Sequence, residues 1–178
     1  MSDSAWATLN NAECIFTAEE VNAAIHTMAA AIQQDYIDKN PLVITIMNGG
    51  MIFAGQLLPL LRFPLECDYL HDSRYGSALR GDELKWIAMP QAEVNGRNIL
   101  LLDDILDEGH TLAAIKHKLL DMGATHVASA VLSNKHITKA KPIHADYIGL
   151  NLPDRYVFGC GMDVAGIWRN LPAIYALS

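Results

Sequence analysis

Residues 98–122 constrain the fold of this chain more than any other stretch. Asn98-Ile-Leu-Leu-Leu102 is a short apolar run of the kind that forms a strand buried on both faces. It ends in two acids, Asp103 and Asp104, and passes through Ile105-Leu106 into Asp107-Glu108-Gly109-His110-Thr111. Leu112, Ile115, Leu119 and Met122 then recur at helical spacing, and Gly123 is suited to cap the helix end. A buried strand, a tight loop and a helix form the repeating unit of an open parallel α/β sheet, whose ligands sit beyond the carboxyl ends of the strands. Asp103 and Asp104 are placed at that end. Loop 107–111 opens onto a helix N-terminus, where backbone N–H groups hold a phosphate and the Thr111 hydroxyl adds a donor. Gly109 lets the backbone come close to such an anion. By themselves the paired aspartates fit a solvated strand end or a turn cap as well as a ligand site. A receiver domain also carries paired aspartates after an apolar strand, but there the pair follows the first strand. Here it lies past the middle of the chain, which leaves too little behind it.

The flanking sequence supplies more units of the same kind. Thr17-Ala-Glu-Glu20 is a capping box, and Val21, Ile25, Met28, Ile32 and Tyr36 follow on one helical face that should end near Lys39 and Asn40, before Pro41. Strands are predicted at 42–47, 65–70, 84–89, 98–102, 127–132 and 147–150, with an apolar helix over 51–62. Between 71 and 83 the chain is polar and carries Gly76 and Gly81, the composition of a lid or binding loop. The segment 153–177 reads as irregular. Strands alternating with helices give a mostly parallel α/β sheet, and 178 residues give one domain over 1–178.

Composition excludes several function classes. With hydrophobic residues at 51% and charged residues at 19%, the chain is not disordered. No apolar run reaches the ~20 residues of a membrane span, and the N-terminal MSDSAWATLN carries no basic-then-apolar signal, so no membrane partner is expected. Cys14, Cys67 and Cys160 are an odd number without a CxxC pair, which fits a reduced, cytoplasmic protein. A formal charge of −7 speaks against a nucleic-acid partner, which requires a basic face. The same charge sits uneasily with a phosphate-binding loop.

The acidic strand end and its loop resemble the phosphoribosyl-pyrophosphate signature of the type I phosphoribosyltransferases: apolar strand, two acids, two apolar residues, then Asp, any residue, Gly, any residue, Thr. From about Leu42 to Leu177 the chain is similar to the bacterial hypoxanthine-guanine branch of that family. Met47-Asn48-Gly49-Gly50, Ser73-Arg74-Tyr75-Gly76, Lys135, and Pro153-Asp154-Arg155-Tyr156-Val157 leading to Asp163 and Arg169-Asn170-Leu171-Pro172 match in order and spacing. The resemblance implies a type I phosphoribosyltransferase fold, a central mostly parallel sheet flanked by helices with a small hood drawn from 1–16 and 153–178. It implies purine salvage: transfer of the phosphoribosyl group of 5-phosphoribosyl 1-pyrophosphate to hypoxanthine or guanine, giving the nucleotide and pyrophosphate, with Mg2+ as cofactor. It also implies a homodimer or homotetramer, for which Pro59, Pro64 and the helix over 51–62 offer a contact. The alternatives are a non-catalytic nucleotide-sensing regulator and a xanthine-preferring relative. The regulator would need a basic face.

Residue by residue, the resemblance gives the 5′-phosphate and ribose to Asp103, Asp104, Glu108, Gly109, His110 and Thr111. Asp107 becomes the general acid/base near purine N7. Pyrophosphate falls to Met47, Asn48 and Gly49, where the family often has a cis peptide, and to Arg74 and Arg169. Lys135 reads the purine 6-oxo group, Tyr156 stacks on the base, the Val157 backbone meets its edge, and Asp163 serves base and metal. Asp103 and Asp104 are the other acids on the metal side. Ser73 and Tyr75 belong to a mobile lid over 71–83. Glu108, His110 and Arg74 depart from the commoner pattern; Glu108 suits a phosphate loop only with its side chain turned away.

Overall fold

The computed structural model describes residues 2–73 and 85–177. In chain order these form α1 (Ser2–Asn10), β1 (Glu13–Phe16), α2 (Ala18–Tyr36), β2 (Leu42–Met47), α3 (Gly50–Leu57), a 3-10 turn (Leu58–Leu60), β3 (Glu66–Ser73), β4 (Lys85–Ala88), β5 (Asn98–Leu106), α4 (His110–Asp121), β6 (His126–Lys135), β7 (Tyr147–Leu152), β8 (Val157–Phe158) and β9 (Ile174–Ala176).

The main sheet has six strands in the order β4-β3-β2-β5-β6-β7. All neighbouring pairs are parallel except β3 with β4. The apolar runs that carry no alternation lie at its centre, with Leu42, Val43, Ile44 and Ile99 to Leu102 all buried. That is the burial a parallel sheet requires, because helices cover both of its faces. One face packs Val43, Leu100 and Leu102 against Val21, Ile25 and Ile32 of α2 and Phe53 and Leu57 of α3. The other packs Ile44, Ile99 and Leu101 against Leu112, Ile115 and Leu119 of α4.

The capping box forms as the sequence demands: the Glu20 N–H donates to Thr17 Oγ1 at 3.3 Å and the Thr17 N–H donates to Glu20 Oε2 at 2.8 Å. Helix α2 stops at Tyr36, three residues short of Lys39, because a turn follows it and Asn40 takes a left-handed backbone with φ 42° before Pro41. The helix predicted over 51–62 ends at Leu57 and tightens into the 3-10 turn that contains Pro59, whose ring and missing N–H resist a continued α-helix. Four strands run past their predicted ends, β3 to Ser73 and β7 to Leu152 among them. β5 continues past Leu102 through both aspartates to Leu106, and β6 continues past Leu132 to Lys135. Main-chain pairing of Asp103 with Val131, Ile105 with Ser133 and Leu106 with Asn134 holds both extensions. The carboxyl end of β5 is therefore at Leu106, and Asp103 and Asp104 sit inside the strand on opposite faces.

The segment read as irregular contains β8 and β9. With β1 they make a three-stranded antiparallel sheet in the order β1-β9-β8. Helix α1, which no sequence signal announced, meets the loop before β9: Trp168 Nε1 donates to the Ala5 carbonyl at 3.1 Å, and the Trp6 and Trp168 rings stand edge to face at 5.1 Å. Cys14, Cys67 and Cys160 are free thiols. Among the described residues no helix is long and apolar enough to cross a membrane.

Candidate active site

The carboxyl ends of β2, β3, β5 and β6 open into a cleft of about 460 Å³. Met47, Asn48, Gly49, Asp103, Asp104, Asp107, Glu108, Gly109, Thr111, Lys135, Tyr156, Val157, Asp163 and Arg169 all line it. Residues 47 to 135 meet in one space because parallel strands deliver their ends to the same edge of the sheet, and Tyr156, Val157, Asp163 and Arg169 join them from β8 and the segments beside it. His110 is the first residue of α4, is exposed, and is not among the lining residues. Ser73 closes β3, while Arg74, Tyr75 and the lid reading over 74–83 lie outside the described residues. His71, Asp72 and Met162 also line the cleft. The sequence offered no motif for Asp72 or Met162; pairing of Met47 with His71 across β2 and β3 brings this end of β3 to the site.

On one wall, the Met47–Asn48 peptide bond is cis, as the resemblance implied, and Gly49 precedes α3. Gly49 lies so close to Asp104 that a Cβ there would overlap the Asp104 carboxylate. Asp104 is buried at 7% exposure, and its N–H donates to Asp103 Oδ1 at 3.0 Å. Burial pushes the Asp103 carboxyl well above the usual carboxylate range, and the charges of Asp104 and Asp72 add to the push. Burial raises Asp104 as well, against the opposing effects of its hydrogen bond with Asp103 and of the Arg169 charge. Two carboxyls in this position are best satisfied by hydroxyl donors or a cation.

On the floor, Gly109 caps α4 with φ 86°, a left-handed backbone that glycine takes without strain. It has no side chain and so makes no side-chain capping hydrogen bond to the first turn of α4. Together with the helix dipole this is an anion seat. Glu108 is exposed and lines the cleft beside this loop.

At the start of the same loop, Lys135 Nζ donates to Asp107 Oδ2 at 3.1 Å. The strand extensions make this pair: Leu106 and Asn134 are register partners, and Asp107 and Lys135 are the next residues on their strands. Tyr156 is 54% exposed, an aromatic face left open at the cleft, and its hydroxyl donates to the Asp163 carbonyl at 3.2 Å. Arg169 pairs with Asp163 Oδ1 at 2.5 Å and donates to the Gly161 carbonyl at 2.6 Å, while Asp163 Oδ2 accepts the Gly166 N–H at 2.7 Å.

The site fits magnesium that arrives with a diphosphate. Among the described residues no group of three or more His, Cys, Asp or Glu side chains is spaced to hold a metal alone. Mg2+ typically keeps several waters and takes one or two carboxylates plus substrate phosphates. Asp103 and Asp104 offer those carboxylates, whereas both oxygens of Asp163 already have partners.

Residues 12–165 match the phosphoribosyl transferase domain model, and the chain belongs to that family. Within it, the chain is 32% identical to the hypoxanthine-guanine phosphoribosyltransferase of Bacillus subtilis, across 92% of this chain and 91% of that protein. A hypoxanthine phosphoribosyltransferase structure from Staphylococcus aureus superimposes with a TM-score of 0.90 at 26% identity, covering 97% of this chain and 95% of that one. A hypoxanthine-guanine-xanthine phosphoribosyltransferase structure superimposes with a TM-score of 0.86 at 29% identity, covering 95% and 99%.

Proposed function

We propose that this enzyme salvages purines, transferring the phosphoribosyl group of 5-phosphoribosyl 1-pyrophosphate to hypoxanthine or guanine. The observation that carries this reading is the contact of Lys135 with Asp107 in the cleft that Tyr156 also lines. An ammonium donates to a 6-oxo group and not to a 6-amino group, so the pair selects oxopurines over adenine. A purine entering between them exchanges the Lys135–Asp107 bond for two of its own: Lys135 donates to O6, and Asp107 accepts the N7 proton. Tyr156 stacks on the ring, and the Val157 backbone meets its edge.

As the bond between C1′ and the pyrophosphate oxygen breaks, the pyrophosphate leaves with the electron pair and the ribose gains cationic character. N9 attacks C1′, and the N7 proton passes to the Asp107 carboxylate. Asp103 and Asp104 hold the ribose hydroxyls and place negative charge beside the developing cation. The α4 N-terminus, Gly109 and Thr111 hold the 5′-phosphate, while the backbone at Met47 to Gly49, Arg169 and Arg74 hold pyrophosphate. Asp103 and Asp104, with Asp163 nearby, would hold magnesium that arrives with the diphosphate, and the metal would supply charge compensation for the pyrophosphate. Ser73, Arg74 and Tyr75 serve the lid that keeps water from the cationic centre. The net charge of −7 supports small-molecule substrates over nucleic acid, and the three free thiols support a cytoplasmic site of action. Exposed Met51, Pro59 and Pro64 are the face we assign to contact between copies in a homo-oligomer.

The test is nucleotide formation from phosphoribosyl pyrophosphate and magnesium with hypoxanthine, guanine, xanthine or adenine supplied singly. Hypoxanthine or guanine should turn over and adenine should not. Absence of product from all three oxopurines would refute the enzyme. Lys135→Met is expected to raise the KM for hypoxanthine by roughly 10- to 100-fold, the loss of one hydrogen bond from a charged donor. An unchanged KM would remove Lys135 from the purine site.

A further inference from the structure

Lys141 lies in the connection between β6 and β7, outside every motif that marks the site, yet its ammonium makes three hydrogen bonds at the ends of β5 and β6. Nζ donates to the Lys135 carbonyl at 2.6 Å, to the Leu106 carbonyl at 2.7 Å and to Asn134 Oδ1 at 2.8 Å. All three donors of the ammonium are used. The two carbonyls belong to the last residues of β5 and β6, those next to Asp107 and that of Lys135 itself.

From this geometry we infer that Lys141 is a positioning residue, which clamps the two strand ends together and thereby sets the spacing of Asp107 and Lys135 for the purine. The peptide after Lys135 is fixed from both sides, because its carbonyl accepts from Lys141 and the His136 N–H donates to the Leu152 carbonyl at 2.8 Å. The peptide after Leu106 is planar, so holding its carbonyl toward Lys141 turns the Asp107 N–H the opposite way and fixes where the Asp107 side chain departs. The residues after Lys141 reinforce the clamp from below the loop: a Cβ on Gly109 would stand 3.2 Å from Ile143 Cγ2 and 3.5 Å from Pro142 Cδ. Beyond Leu106 and Asn134 the main-chain register of β5 and β6 has ended. Lys141 supplies the cross-link there that the sheet no longer supplies. None of its three hydrogen bonds goes to the Met47–Gly49 wall or the Asp103–Asp104 pair, so its effect falls on the purine and not on the phosphoribosyl donor.

The inference rests on the proposed phosphoribosyl transfer, and its test separates the two. In steady-state assays of Lys141→Met with hypoxanthine, kcat/KM for the purine should fall by roughly 10²-fold, the scale of a misplaced catalytic pair, while the KM for phosphoribosyl pyrophosphate stays unchanged. Lys141→Arg keeps the charge, but its planar fork cannot bring three donors to one point. It should fall between wild type and Lys141→Met, and it carries the test if the Met variant does not fold. Wild-type purine kinetics in either folded variant overturns the inference, as does an equal rise of both KM values. Wild-type protein that forms no nucleotide would instead remove the enzymatic reading.

Discussion

Asp107→Asn should lower kcat for hypoxanthine by about 10²- to 10⁴-fold, the range of general acid/base catalysis, with little change in the KM for phosphoribosyl pyrophosphate. The amide keeps the size of the carboxylate and can still accept a hydrogen bond from Lys135, so the 3.1 Å contact that orders this corner has a neutral counterpart. It has no affinity for the N7 proton. The substitution therefore removes a step and leaves the shape. Steady-state kinetics with saturating phosphoribosyl pyrophosphate measures it, and pre-steady-state quenching separates chemistry from product release. Turnover at the wild-type rate would reduce Asp107 to the partner of Lys135 and require another base. His71 and Asp72 line the same cleft and would be the next groups to replace.

The part of this fold written in side-chain periodicity was legible, and the part written in main-chain pairing was not. Val21, Ile25 and Ile32 mark α2, Leu42 to Ile46 mark β2, and Leu112, Ile115 and Leu119 mark α4, since each pattern exists to bury one face or a whole strand. Asp103, Asp104, Ser133 and Asn134 have no strand-like character, yet they lie within β5 and β6 because the ladder needs only backbone groups. Strand ends read from apolar residues alone therefore fall short, at the very edge where the site is built. The short strands β8 and β9 and helix α1 escaped for a related reason: their stability comes from pairing and from Trp6 against Trp168, with too few residues to show a period.

The site residues divide in the same way. Asp107, Gly109 and Thr111 are close in sequence and bound to one strand–loop–helix unit, so a motif finds them. Tyr156, Asp163 and Arg169 were reached by resemblance alone, and Lys141 by neither route, because a lysine in a loop has the same local sequence whether it is solvated or bonded to three oxygens. The charge of −7 also takes a local meaning: Asp103, Asp104, Asp107 and Glu108 put four acids beside the cleft. In the proposed site the positive potential for the phosphates comes from backbone N–H groups and magnesium arriving with the substrate, and net charge does not report on it.

Gly49→Ala is expected to lower kcat/KM for phosphoribosyl pyrophosphate by roughly 10²-fold, the cost of about 1 Å of displacement in a reacting geometry. Gly49 has ordinary helical dihedrals, φ −58° and ψ −52°, so the backbone itself would accept alanine. The difficulty is the neighbour. A Cβ at this position overlaps the Asp104 carboxylate, and Asp104 cannot retreat easily, because it is buried in β5 and Gly161 comes so close behind that a Cβ there would stand 3.0 Å from Asp104 Cβ. The main chain at Met47 to Gly49 would have to move instead, and that is the wall proposed to hold pyrophosphate. Asp104 and the pyrophosphate wall are thus one packed unit, and a single methyl group disturbs both. The purine end of the cleft, with Lys135 on β6 and Tyr156 just before β8, lies on other segments and should keep its affinity. Titration of the variant with inosine monophosphate and with pyrophosphate separately distinguishes the two ends: weakened pyrophosphate binding with wild-type fold stability is the expected result, whereas unaltered binding of pyrophosphate would detach Gly49 from that role.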